Sequence, residues 1–182
     1  MTVARLHPSD IDIAILTGYS SFFNNTVGLS IEFDPATVFN ATRFPAKNTP
    51  LGYLTFASAA QREELMYNPH GGYDRAIARH DADYRDTLTA GELATASFLF
   101  EGARGYRGKV LVVTGSADSF FCPATASVAA CEETLRQTKT DTLPDVEVFE
   151  IYSPDGVGHD VNLYYGAKKT FGKIDEFLSR HL

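Results

Sequence analysis

The 182-residue chain has 44% hydrophobic and 21% charged residues, which is the balance of an ordinary globular protein. Its formal net charge of −7 argues against nucleic acid or an anionic membrane surface as a partner. No run of about 18 apolar residues occurs, so no membrane span is predicted. No signal-peptide pattern is visible, which makes the cytoplasm the default expectation while localisation stays unknown.

The chain contains two cysteines, Cys122 and Cys131. Their spacing matches neither a metal-binding nor a redox motif, and two cysteines do not make a disulfide framework. We therefore expect two free thiols.

The first strong signal in chain order is the β-branched run from Ile11 to Thr17, which ends at Gly18. Met1 to Asp10 before it is typical of a helix that breaks at Pro8. The apolar run is short and closed by a glycine, so it predicts a buried strand.

Residues 29 to 87 differ in composition from the segments on either side, because they contain many aromatic residues and irregular stretches. Two helices are predicted here, from Phe56 to Tyr67 and from Tyr73 to Arg85. His80 and Asp83 would share a face of the second helix, but no third ligand of suitable spacing is nearby. A solvated helix face is the better interpretation, and no metal site is predicted.

Thr89 to Glu92 match a capping box, which predicts a helix that runs to about Gly102. Val110 to Val113 then form a continuous apolar run between glycines, which predicts a strand buried on both faces of a parallel sheet. Asp118 follows this strand in a turn, at the position where ligands bind in open α/β sheets. Ala124 to Gln137 are predicted to be helical.

A further strand is predicted from Val146 to Ile151, followed by a turn-rich loop at residues 153–158. This loop leads directly to His159. The last predicted helix runs from Leu163 to His181 and has a buried stripe at helical spacing that includes Phe171.

An acid after one strand, and a histidine after the next strand, is the chain order of the triad in α/β-hydrolases. The segments V-L-V-V-T-G-S-A-D and G-V-G-H-D resemble the acid loop and the histidine loop of that family. The resemblance implies that Asp118 is the triad acid and His159 the base. It also implies an α/β fold, in which the chain is the C-terminal part of a doubly wound parallel sheet with about three strands.

Under this resemblance, residues 1–182 form a single partial domain. The core elements are 11–17 and 89–182, and a helical cap is inserted at about 29–87. Most of the aromatic side chains of this cap are expected to fill its own core, and one or two to face the substrate as an apolar ceiling. The chain is expected to begin just after the nucleophile elbow. In that case Ile11–Thr17 would be an exposed edge, able to pair with another chain.

The nucleophile is the weak point of the resemblance, because the sequence contains no G-x-S-x-G elbow. Gly18-Tyr19-Ser20-Ser21-Phe22 begins like one, but Phe22 occupies the place of the second glycine, and no helix start follows. Ser20 is therefore better interpreted as a residue that lines a pocket than as the nucleophile.

Three functions stay open at this point. The leading one is a partial serine hydrolase that acts on a small hydrophobic ester or related acyl compound and needs no cofactor. The second is a non-catalytic module of the same fold that binds a small hydrophobic ligand. The third is a self-sufficient hydrolase that uses Ser20.

Overall fold

The structure is a computed structural model that describes residues 2–35, 50–96, 101–123 and 127–182. The helix predicted to run from Thr89 to about Gly102 crosses residues 97–100, which lie outside the described part. The predicted helix start at Ala124 also lies outside it. The elements, in chain order, are α1 (Thr2–Leu6), β1 (Ile13–Thr17), α2 (Asn25–Ser30), β2 (Phe33–Pro35), β3 (Tyr53–Phe56), α3 (Ala59–Met66), α4 (Arg75–Asp83), β4 (Leu88–Thr89), α5 (Ala90–Thr95), β5 (Lys109–Val113), α6 (Val128–Thr142), β6 (Val148–Tyr152), a 3-10 turn (Val161–Leu163) and α7 (Ala167–His181).

Three parallel strands form the main sheet, in the order β1-β5-β6. Ile13 pairs with Lys109, which in turn pairs with Val148, so the three strands start level with one another. The predicted strands and their parallel arrangement are thus confirmed, and the fold belongs to the α/β class. β1 was expected to be buried, but its side chains are only partly buried. In the described part of the chain, β1 lies at one edge of this sheet, as expected for the 11–17 segment.

Strand β5 is covered on both faces because its side chains alternate between two cores. Val110 and Val112 pack with Cys131 and Leu135 of α6, whereas Leu111 and Val113 pack with Phe177 of α7. The four valine and leucine side chains of β5 are at most 3% exposed. This burial explains why the sequence of β5 is a continuous apolar run and does not alternate between apolar and polar residues.

A second sheet was not predicted. It is antiparallel, has the order β2-β3-β4, and lies within and just after the segment interpreted as a helical cap. The prediction of a helix from Phe56 was wrong at its start, because Phe56 ends β3 and the helix begins only at Ala59, with Ser58 as its N-cap. Strands of two to four residues carry too little periodicity to be recognised in a sequence.

The expectation that no helix starts after Phe22 was wrong. The side chain of Asn24 accepts the amide of Val27 and caps α2, which begins at Asn25.

Two further predictions need correction. Cys122 and Cys131, expected to be free thiols, are joined by a disulfide. Phe171, expected on the buried stripe of the last helix, is 51% exposed, and Phe177 is the fully buried aromatic residue of α7. The buried face of α7 runs through Thr170, Ile174 and Phe177, and Phe171 is turned about 100° away from Thr170 around the helix axis.

None of the helices within the described ranges is both long and apolar enough to cross a lipid bilayer.

Candidate active site

The loops that follow the three parallel strands meet at their carboxyl ends. Gly115 makes this meeting possible, because a Cβ at that position would collide with the backbone carbonyls of Val157 and Gly158. The amide of Ala117 donates to the Val157 oxygen at 2.9 Å, and the amide of Ser116 donates to the Pro154 oxygen at 3.0 Å. The loop after β5 is therefore in backbone contact with the loop that carries His159.

Asp118 is fixed in the loop after β5 by its own turn. Its Oδ1 accepts the backbone amides of Phe120 at 2.9 Å and Phe121 at 3.1 Å. Its backbone oxygen accepts the amide of Cys122, at 3.1 Å. The residue is only 1% exposed, so the second carboxylate oxygen is available for one partner in a water-poor environment.

That partner is His159, whose Nδ1 lies 2.9 Å from Oδ2 of Asp118. A carboxylate can only accept a hydrogen bond, so Nδ1 carries the proton and Nε2 is the basic nitrogen of the neutral ring. Phe120 meets the imidazole edge-on at a centroid distance of 5.3 Å, and Phe121 stacks on it at 5.6 Å. The structure thus brings together the two residues that the sequence predicted as acid and base.

The surroundings of His159 strengthen its basicity. Burial of the ring acts to lower the pKa, but the hydrogen bond and the charge of Asp118 outweigh it, so the pKa of His159 is raised above its ordinary value. Asp160 acts in the same direction, and Arg62 acts against it. Such an imidazole accepts a proton readily near neutral pH.

Gly18, at the end of β1, packs directly against the imidazole. It has a φ of +57°, and a Cβ built on it would lie 2.8 Å from Cε1 and 3.0 Å from Nδ1 of His159. A side chain at this position would therefore displace the ring. The glycine that closes the first predicted strand is needed both for its backbone conformation and for this close approach.

A cleft of about 430 Å³ opens beside the ring. Most of its lining comes from β1 and the residues that follow it, joined by Phe121 and His159: Ile15, Leu16, Thr17, Gly18, Tyr19, Phe121 and His159. A larger cavity of about 610 Å³ lies at the amino ends of the strands, lined by Ile13 and Lys109 among others. It does not include the Asp118–His159 pair.

Ser20 does not complete a triad in this structure. It is fully buried, and its Oγ lies 2.9 Å from the Phe22 oxygen and 2.7 Å from the Phe121 oxygen. The hydroxyl is therefore engaged with backbone carbonyls and holds the segment after β1 against the loop after β5. Among the residues that the structure describes, Nε2 of His159 has no hydrogen-bond partner.

The histidine loop is held from its other side by residues 65–73. Tyr164 Oη accepts the amide of Asn68 at 2.6 Å, and Asn68 Nδ2 donates to the Gly156 oxygen at 2.7 Å. The rings of Tyr67, Tyr73 and Tyr164 pack together, with centroids 4.6 to 6.1 Å apart. The segment assigned to a cap thus packs on the loop that positions His159.

Sequence reasoning missed one feature of this region, the charged residues Arg62, Asp81 and Asp160. Arg62 forms a two-pronged ion pair with Asp81, through Nε to Oδ2 at 2.7 Å and Nη2 to Oδ1 at 2.9 Å. Nη2 also lies 3.8 Å from Oδ2 of Asp160. Only the adjacency of Asp160 to His159 could have signalled this cluster in the sequence.

Within the described ranges, no group of three histidine, cysteine or acidic side chains is close enough to hold a metal ion.

No protein-family model matches the chain. No curated protein matches it significantly either.

Proposed function

We propose that this chain carries the acid–histidine half of an α/β-hydrolase-type active site, which acts on small hydrophobic esters or related acyl compounds. The observation that supports it most is the 2.9 Å pair between His159 Nδ1 and the buried carboxylate of Asp118, at the carboxyl ends of a parallel sheet. The chain order of the two residues and their resemblance to the acid and histidine loops of that family point the same way.

In this proposal, Nε2 of His159 takes the proton from an attacking hydroxyl group and later gives it to the leaving alcohol. Asp118 keeps the Nδ1 proton in place and stabilises the imidazolium that forms. The cleft along β1 would receive the hydrophobic part of the substrate. The nucleophilic hydroxyl and the oxyanion donors would come from outside the described residues, because Ser20 is engaged elsewhere and no elbow motif occurs.

The decisive experiment treats the tagged protein, purified from its source cells, with a fluorophosphonate that labels activated serines. We expect labelling of the wild-type protein, at least about 1,000-fold slower labelling of His159→Gln, and unchanged labelling of His70→Gln. His70 is an exposed histidine, which makes it a matched control. Mapping the labelled peptide identifies the serine, and a label on Ser20 would restore the self-sufficient alternative. An unlabelled wild-type protein would overturn the hydrolase proposal.

A second candidate function is binding of a small hydrophobic ligand without turnover. It is favoured by the apolar side chains of Ile15, Leu16 and Phe121 in the cleft and by the free Nε2 of His159 in the described part of the chain. A ligand present at 100 times its Kd would stabilise the fold by about 2.7 kcal/mol. Thermal unfolding of the 182-residue chain with octanoate and with butyl butyrate tests this, and stabilisation by both compounds with the butyl butyrate left unhydrolysed would favour binding over catalysis.

A further inference from the structure

Arg62 lies on α3, far in sequence from the histidine loop, and its guanidinium is only partly exposed. Its side chain and that of Asp81 are 16% and 19% exposed, and they make two parallel hydrogen bonds. The hydroxyl of Tyr67 also donates to Oδ2 of Asp81, at 3.1 Å. The ring of Phe56 lies 5.4 Å from the Arg62 guanidinium carbon and completes its surroundings. The guanidinium is thus held in one orientation, as is typical of two-pronged arginine–carboxylate pairs.

Asp160 brings this cluster to the imidazole, because it is the residue next to His159. Its backbone amide donates to the Met66 oxygen at the end of α3, at 3.2 Å. Its Oδ2 is buried and makes no hydrogen bond to any residue that the structure describes, and Arg62 Nη2 lies 3.8 Å from it. A buried carboxylate oxygen without a hydrogen bond depends on such a charge for its stability.

We propose that Arg62 and Asp160 are positioning residues for His159, which fix the histidine loop against α3 and set the charge around the imidazole. This inference rests on the proposed function, since a tuned base matters only where His159 accepts a proton. It gives α3 a part in positioning the proposed base.

Among the residues that the structure describes, three charged groups act on His159, and each comes from a different place. Asp118, from the loop after β5, and Asp160, from the histidine's own loop, both favour the imidazolium, whereas Arg62, from α3, opposes it. Burial raises the pKa of Asp160, while Arg62 and protonated His159 act to keep it ionised. Asp160 and Arg62 therefore act on the pKa of His159 with opposite signs.

The opposite effects of Asp160 and Arg62 on the pKa of His159 provide the test of the proposal. The midpoint of His159 is measured by NMR titration of the 182-residue chain labelled at histidine, without substrate, so the result does not depend on whether the protein hydrolyses esters. We expect Asp160→Asn to lower the midpoint by about 0.5 or more, and Arg62→Gln to raise it by a similar amount. The double variant should fall between the two single variants.

The exposed His70 is the internal control in every spectrum, and Asp175→Asn, an exposed carboxylate on α7, is the matched control variant. Asn has the shape of Asp, and within the described ranges Oδ2 of Asp160 has no hydrogen bond to lose, so Asp160→Asn decides the question if Arg62→Gln fails to fold. Midpoints within about 0.2 of the wild-type value, or shifts in the same direction in both variants, would overturn the proposal. Loss of hydrolysis with unmoved midpoints would count against this inference and leave the proposed function standing.

Discussion

Replacing Asp118 with asparagine separates two roles of this carboxylate, which accepts backbone amides in its own turn and pairs with His159. Oδ1 accepts the amides of Phe120 and Phe121, and an asparagine oxygen can keep both of these bonds. The other terminus then becomes an NH₂ group that faces His159 Nδ1. The histidine would have to accept at Nδ1 and carry its proton on Nε2, which is the wrong tautomer for a base.

The cost of this change should depend on pH. A hydrogen bond to a charged partner contributes about 1.5–3 kcal/mol, and this one is shielded because Asp118 is buried. The pKa of folded His159 is raised, so the extra stability is fully present below the unfolded value of about 6.5. It is lost as the pH rises through the folded pKa, and each unit of elevation is worth about 1.4 kcal/mol.

Urea unfolding followed by circular dichroism, at about pH 5.5 and about pH 8.5, measures this difference. Other titrating groups are common to both proteins, so they cancel in the difference in unfolding free energy. We expect Asp118→Asn to destabilise the chain more at the lower pH, by about 1 kcal/mol or more. A destabilisation equal at the two pH values would refute the claim that Asp118 favours the protonated form of His159, and Asp175→Asn should show no pH-dependent loss.

Two further substitutions test the packing around the site, and a third tests an exposed helix glycine away from it. Gly18→Ala should cost about 2 kcal/mol or more and alter the His159 NMR titration, because its Cβ would strike the imidazole from a residue with positive φ. Gly172→Ala, in α7 with open space around its Cβ, should instead stabilise by about 0.5–1 kcal/mol in the same urea assay. Tyr164→Phe leaves the buried amide of Asn68 without its acceptor, so we expect a loss of about 1–3 kcal/mol; a loss below about 0.3 kcal/mol would contradict the assigned hydrogen bond.

The elements that the sequence predicted correctly are those whose signal is local. The run Val110–Val113 indicated a strand covered on both faces, and Thr89 with Glu92 indicated a helix start; the structure has the strand at Lys109–Val113 and the complete capping box. The acid and the histidine could be singled out for the same reason, since each directly follows a short apolar strand and a turn. Their roles in catalysis stay predictions.

Tertiary structure alone decided what lies between distant segments. Asp118 and His159 are 41 residues apart in the chain, and only the parallel pairing of β5 with β6 places their loops side by side. The contact of Arg62 with Asp160 and the closure of the Cys122–Cys131 disulfide likewise depend on packing. The sequence determined the three strands of the main sheet, the helix cap at Thr89 and the residues with reactive side chains, because these follow from short-range periodicity and turn chemistry. Which of those side chains meet, and in what electrostatic surroundings, depends on long-range pairing that no local pattern encodes.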